Sequence, residues 1–221
     1  MEFVRCSVND QIFGPKKPTE LETSRASVIL DANLEPKGTY GNEEVLHRIQ
    51  TPGHVDQAGL LKFFKAMAVC HTVLPKISEE KEHDYQGTSP DEVALVLGAA
   101  RSGVPFVERK FDFERRCVME IKVPCTQRAG EFVYERWTLL HVLEFTSDRK
   151  RMSVVVRDVD DQILLITKGA DQVMIPRFAQ DCGPSAKTLR QATSFAREGL
   201  RTLVFGQKPI AVDVYEQWRQ S

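Results

Sequence analysis

Three side chains in this sequence suggest chemistry by their type and spacing: Phe145, Lys150 and Lys168. They lie within WTLLHVLEFTSDRKRMSVVVRDVDDQILLITKGAD, residues 137–171. Three apolar runs there are separated by two polar turns, the pattern of an antiparallel meander. The first and third strands of a meander run the same way. The end of the first (Phe145), the start of the second (Lys150) and the end of the third (Lys168) therefore meet at one edge of the sheet. An aromatic face can stack a base and lysines attract phosphates. Thr146, Ser147 and Gly169 are small neighbours, and Gly169 permits close backbone approach. An adenine nucleotide would use all of these groups. Each also has a plainer reading: Phe145 as a core ring, Arg149-Lys150-Arg151 as a solvated turn, Lys168 as a surface lysine. Only their convergence carries the nucleotide reading.

The usual phosphate-cradling loops are absent, with no GxxxxGK[ST] and no GxGxxG. A nucleotide here would be held by stacking and point charges, with modest affinity. No Ser/His/Asp or Cys/His order suggests a nucleophile, so no catalytic residue is assigned. The five cysteines are scattered without a CxxC pair, and the histidines fall at no ligand spacing. No metal site is assigned, and a reduced cytosolic setting is expected. Asp158, Asp160 and Asp161 could bind a cation, but a polar hairpin turn explains them better. The 221 residues carry a net charge of −1, which disfavours nucleic acid as a partner even though Arg115-Arg116 and Arg149–Arg151 are basic. No apolar run nears the roughly 20 residues that span a bilayer, and the first residues, MEFVRCSVND, hold no signal-peptide apolar core.

The elements that must position these residues follow from periodicity. Residues 10–45 are rich in Pro, Gly and charge and are expected to be a mobile loop or insertion in a single domain of residues 1–221. A short helix is expected at Glu43–Gln50. In Asp56–His71, the spacing of Leu60, Phe63, Phe64, Met67 and His71 predicts a core-facing helical stripe, with His71 a helix-end residue rather than a ligand. Ser89-Pro90-Asp91-Glu92 is a capping box that opens a helix to Ser102, stopped by Gly103. On that reading Glu92 is simply the capping carboxylate. Strands are expected at Phe106–Lys110, Arg116–Val123, Phe132–Phe145, Met152–Arg157 and Gln162–Lys168. Trp137, Leu139, His141, Leu143 and Phe145 would share one face of the third. Helices follow at Ala170–Gln180 and Ser185–Glu198, then a last strand at Arg201–Phe205 and a helix at Val212–Arg219. Arg201, just after Gly199, would simply meet a helix C-terminus. Elements cluster rather than alternate, so the fold class is α+β with an antiparallel sheet.

The stretches YQGTSPDEVAL (85–95), LEFTSDRKRMSVVVR (143–157), TKGAD (167–171) and GLRTLV (199–204) resemble, in order, the nucleotide-binding domain of P-type ATPases. They are most similar to the type IV subfamily, the phospholipid flippases. The similarity is thin in residues 10–45 and 110–135. It implies a sheet of about six or seven strands flanked by helices, and it implies roles. Glu92 would meet the adenine amino edge and Phe145 would stack on adenine. Ser147 and Lys150 would line the pocket, Lys168 would form its floor, and Arg201 would reach the phosphates. The cofactors implied are ATP and Mg²⁺, the metal being held mainly by a phosphorylation domain. The DKTGT phosphorylation motif is absent from these residues, and MEFVRCSV resembles the chain shortly after it. An excised cytosolic domain of a multi-pass membrane protein is therefore expected, one that holds ATP without turning it over. Its partners would be the phosphorylation and actuator domains of the parent chain and an accessory membrane subunit; the isolated domain would be monomeric. The rival readings are the same domain of a cation pump, and a protein-interaction module without nucleotide binding.

Overall fold

The computed structural model of the chain describes residues 1–15, 43–76 and 84–220. A hairpin comes first, β1 (Cys6–Val8) and β2 (Gln11–Phe13). Its two turn residues, Asn9 and Asp10, sit at φ 49° and 63°, the left-handed pair that a tight hairpin needs and that Asn and Asp tolerate. Helices α1 (Glu43–Gln50) and α2 (Gln57–Val69) follow, then a short ladder of β3 (Leu74–Pro75) with β4 (Tyr85–Gln86), then α3 (Pro90–Arg101). Of the loop expected at residues 10–45, the strand β2 and the start of α1 are structured; residues 16–42 lie outside the described residues.

The remainder is built on six strands: β5 (Phe106–Phe111), β6 (Cys117–Pro124), β7 (Phe132–Leu143), β8 (Arg151–Arg157), β9 (Ile163–Gly169) and β10 (Val204–Ile210). They form one antiparallel sheet in which every strand pairs with its neighbour in sequence. A short helix α4 (Asp171–Met174) and a 3₁₀ turn (Ile175–Arg177) come before α5 (Ala186–Arg197), and α6 (Val212–Gln220) closes the chain. The fold is α+β, as the clustering of elements predicts.

Two apolar clusters hold the sheet. Leu60, Phe64 and Met67 of α2 are fully buried with Val154, Val156 and Ile166 of the sheet. Burying one such side chain contributes about 1.5–3 kcal/mol. On the other face Tyr215 of α6 packs against Val155 and Ile163. Helix α3 opens as its sequence predicts: the Ser89 hydroxyl accepts from the Glu92 N–H, and Pro90 takes the first turn. It ends where Gly103 enters the left-handed region at φ 90°.

Three expectations about the strands and helices fail for identifiable reasons. The uniform face from Trp137 to Phe145 is interrupted by a bulge between Leu139 and His141. Trp137 and Leu139 belong to the main core, whereas Leu140 and Leu143 pack with the second cluster. One extra residue reverses the side to which the strand presents its side chains. The last strand runs Val204–Ile210 rather than Arg201–Phe205. Pro209 reads as a strand breaker, but β10 is at the sheet edge, where a missing N–H costs no ladder bond. The helix expected over 170–180 is α4 and one 3₁₀ turn, because Pro176 cannot donate to an α-helical ladder.

Candidate functional site

Lys168 is the penultimate residue of β9 and faces the α2–α3 side of the sheet, opposite Met152. It is 6% exposed. A buried ammonium needs partners, and it has two. Its Nζ lies 2.8 Å from Glu92 Oε1 and donates to the Cys70 carbonyl at 2.6 Å. Cys70 ends α2, so one helix terminus and the first turn of another meet at this lysine. The second carboxylate oxygen of Glu92 accepts from the Thr72 N–H at 2.9 Å and from the Thr72 hydroxyl at 2.8 Å. The capping box is therefore half formed. Ser89 caps the helix, but the Glu92 side chain turns to Thr72 and Lys168 instead of back to Ser89. Burial raises the Glu92 pKa; Lys168 and the Thr72 hydrogen bonds outweigh that, leaving the carboxyl below its ordinary value.

The loop between β7 and β8 lies at the same end of the sheet as Lys168, since β8 starts beside the end of β9. It carries three predicted residues, all exposed: Phe145, Ser147 and Lys150. Phe145 is 60% exposed, so the core reading for this ring is overturned. Lys150 has φ 49°. Its N–H donates to the Thr146 carbonyl at 2.8 Å, and its own carbonyl accepts from Ala170 at 3.2 Å. That second bond ties the loop to the end of β9. Gly169 allows the approach. A Cβ there would sit 2.7 Å from the Arg151 Cβ and 2.8 Å from the Lys150 carbonyl oxygen. The space expected for a ligand at Gly169 is taken by these two residues.

Arg201 lies in the segment before β10, not at a strand start. Its guanidinium pairs with Asp91 at 2.9 Å, and its side chain is 65% exposed. Asp91 adjoins Glu92 in α3, so Arg201 is brought to the same helix start. The fold thus joins Glu92 and Lys168 directly and adds Arg201 through Asp91 and Lys150 through the strand pairing. Phe145 and Ser147 stand at the same sheet end, in the loop that joins β7 to β8.

Thr72, Asp91 and the Cys70 carbonyl were not singled out by sequence. Only the abrupt end of the α2 stripe marks where the first and last of these are. His71 is a helix-end residue, as its place in the stripe predicts. Its Nδ1 accepts from Val73 and its Nε2 meets the Ala68 carbonyl, and burial with Arg109 and Lys168 nearby pulls its pKa down to about 3. The aspartates at 158–161 make a turn: Asp158 accepts from the N–H groups of Asp160 and Gln162, and Asp161 pairs with Arg157. Among the described residues no group of three or more His, Cys, Asp or Glu could hold a metal ion, and no helix is long and apolar enough to cross a membrane.

Residues 59–220, which include all six predicted site residues, match the family described as P-type ATPase, cytoplasmic domain N. The chain is 34% identical over 237 residues to Phospholipid-transporting ATPase 10 of Arabidopsis thaliana, covering 100% of this chain and 19% of that protein. It is 32% identical over 223 residues to Phospholipid-transporting ATPase IK of Homo sapiens, covering 100% and 16%. Against Phospholipid-transporting ATPase DRS2 of Saccharomyces cerevisiae the identity is 33% over 219 residues, covering 99% and 15%. The chain therefore spans less than a fifth of the length of each of these three relatives.

Proposed function

The chain belongs to the P-type ATPase family as its cytoplasmic N domain, and from that premise we propose that it binds ATP at the Glu92–Lys168 end of the sheet. The carrying observation is a buried carboxylate–ammonium pair at the sheet end where the β7–β8 loop carries an exposed aromatic ring. Phe145 is a large apolar face left in water, where a base can cover it. The Glu92 carboxylate only accepts hydrogen bonds, which suits the exocyclic amine of adenine. Lys168 forms the floor, Ser147 and Lys150 line the wall, and Arg201 exchanges Asp91 for the phosphate chain. The residues present fit the nucleotide without any phosphate-cradling loop.

In the parent protein the domain presents the γ-phosphate to an aspartate of a separate phosphorylation domain. Mg²⁺ would accompany the nucleotide, held mainly by that domain, and would supply charge neutralisation for phosphoryl transfer there. The names of the three relatives favour a phospholipid-transporting parent over a cation pump. On that reading the domain works on the cytosolic side of a membrane, with the actuator domain of its own chain and an accessory membrane subunit as further partners. The test is calorimetric titration of the chain with ATP. Saturable binding that weakens in Phe145→Ala is expected; a flat titration at millimolar ATP rejects the reading.

A further inference from the structure

The sheet face opposite Lys168 carries charged groups that the nucleotide site leaves unused. Along β8, Met152, Val154 and Val156 belong to the main core, so Arg151, Ser153 and Val155 face the other way. Thr167 of β9 stands opposite Ser153. Arg149 leads into this row, and Arg177 joins it from the 3₁₀ turn. Arg149, Arg151, Ser153, Thr167 and Arg177 line part of a groove of about 1690 Å³ that Asp91 and Arg201 also border.

None of the three guanidinium groups has a carboxylate partner among the described residues. Arg149 donates to the Glu144 carbonyl at 2.6 Å, Arg151 to the Arg149 carbonyl at 2.9 Å, and Arg177 to the Val173 carbonyl. Carbonyls orient these groups without neutralising them. Partial burial, then the like charges of Arg177 and Arg149, depress the Arg151 pKa. Ser153 is 3% exposed. Its hydroxyl oxygen accepts from Thr167 at 2.9 Å and from Arg149 at 3.4 Å, which leaves its own proton to donate.

We propose that the arginine-lined part of this groove binds an oxyanion of the phosphate class, on the sheet face opposite Lys168. Three guanidinium forks and a hydroxyl offer more donors than the two oxygens of a carboxylate can engage, whereas a tetrahedral dianion accepts from several directions. Occupancy reaches the other face through the 144–150 loop. The Arg149 side chain holds the Glu144 carbonyl, and the Arg149 backbone N–H donates to the Thr146 hydroxyl at 3.1 Å. The same loop carries Phe145, Ser147 and Lys150. An anion that recruits Arg149 changes how firmly this loop is held, and so changes ATP affinity; by linkage ATP changes anion affinity equally. The coupling rests on the nucleotide reading above, while the anion site does not.

The experiment titrates the full chain with inorganic phosphate and, separately, with N-acetyl-phosphoserine amide, at constant ionic strength, following backbone amides by NMR. Saturable shifts at Arg151, Ser153 and Thr167 are expected. Arg151→Gln/Arg177→Gln should weaken binding at least tenfold. The single Arg177→Gln, at an exposed position whose loss leaves the fold intact, should weaken it several-fold, and Phe145→Ala should not change it. Tighter binding of the phosphoserine amide assigns the site to a phosphorylated side chain, and equal or weaker binding to free phosphate. Non-saturating shifts, undiminished binding in both arginine variants, or shifts centred on Phe145 and Lys168 would overturn the site. ATP affinity unchanged by saturating phosphate removes the coupling. A flat ATP titration with phosphate still saturable removes the nucleotide reading and leaves the anion site standing.

Discussion

Replacing Lys168 with methionine isolates the buried pair. Methionine keeps the unbranched stem and removes the charge. The Lys168 and Glu92 side chains are 7% and 10% exposed, so water cannot take the lysine's place. Glu92 would lose the contact at 2.8 Å and keep its two hydrogen bonds from Thr72. Removing one member of a buried pair costs about 3–5 kcal/mol, because the other charge stays behind. With the two Thr72 bonds surviving, the lower end applies, about 3 kcal/mol. For a domain of this size that lowers Tm by about 6–12 °C. The pH dependence follows from the direction of the Glu92 shift. With its folded pKa below the ordinary 4.5, Glu92 contributes stability above pH 4.5 that is lost as pH falls through the lowered value. In Lys168→Met, burial acts without the cation, so the folded pKa rises and Glu92 takes up a proton more readily in the fold than in the unfolded chain. The deficit of the variant therefore narrows as the pH is lowered. The assay is urea unfolding at pH 7 and in mild acid, with Glu92→Gln/Lys168→Met as the charge-free control. A deficit under about 1 kcal/mol at pH 7, or a double variant no more stable than the single one, would refute the account.

Other substitutions separate binding from stability. Phe145→Ala should cost about 1–3 kcal/mol of ATP binding by calorimetry while moving the urea midpoint little, since the ring is mostly exposed. Gly169→Ala forces a methyl to 2.7 Å from the Arg151 Cβ, and should destabilise by about 1–3 kcal/mol in urea. Ser89→Ala removes the cap on the Glu92 N–H, and should lower unfolding free energy by about 0.5–2 kcal/mol while leaving ATP affinity within a few-fold.

The sheet and its helices were legible because local patterns decide them. Alternation gave β6, β8 and β9 to within a residue or two, and Ser89-Pro90 placed the start of α3. The bulge at Leu140 was not legible: Leu139-Leu140 and Val142-Leu143 put apolar residues on both faces of the strand, and only packing against both faces shows where one residue is spare. The direction of the Glu92 side chain was hidden for a similar reason. Its spacing from Ser89 suits a capping box, but Thr72, 20 residues upstream, competes for it through tertiary structure. The meeting of Phe145, Lys150 and Lys168 at one sheet end followed from strand topology. Glu92 and Arg201 were reached through family resemblance, because no local pattern links a helix start to a strand end far along the chain.

The strict neighbour order of the sheet also sets a timetable for synthesis. Strands emerge from the ribosome in the order in which they pair, so the sheet can extend one strand at a time from β5 towards β10. Glu92 emerges well before Lys168. Until β9 joins β8, the carboxylate has Thr72 but no cation, and α3 cannot be buried at full strength. Nascent chains ending after β8 should therefore leave the start of α3 open to protease, and chains ending after Gly169 should protect it.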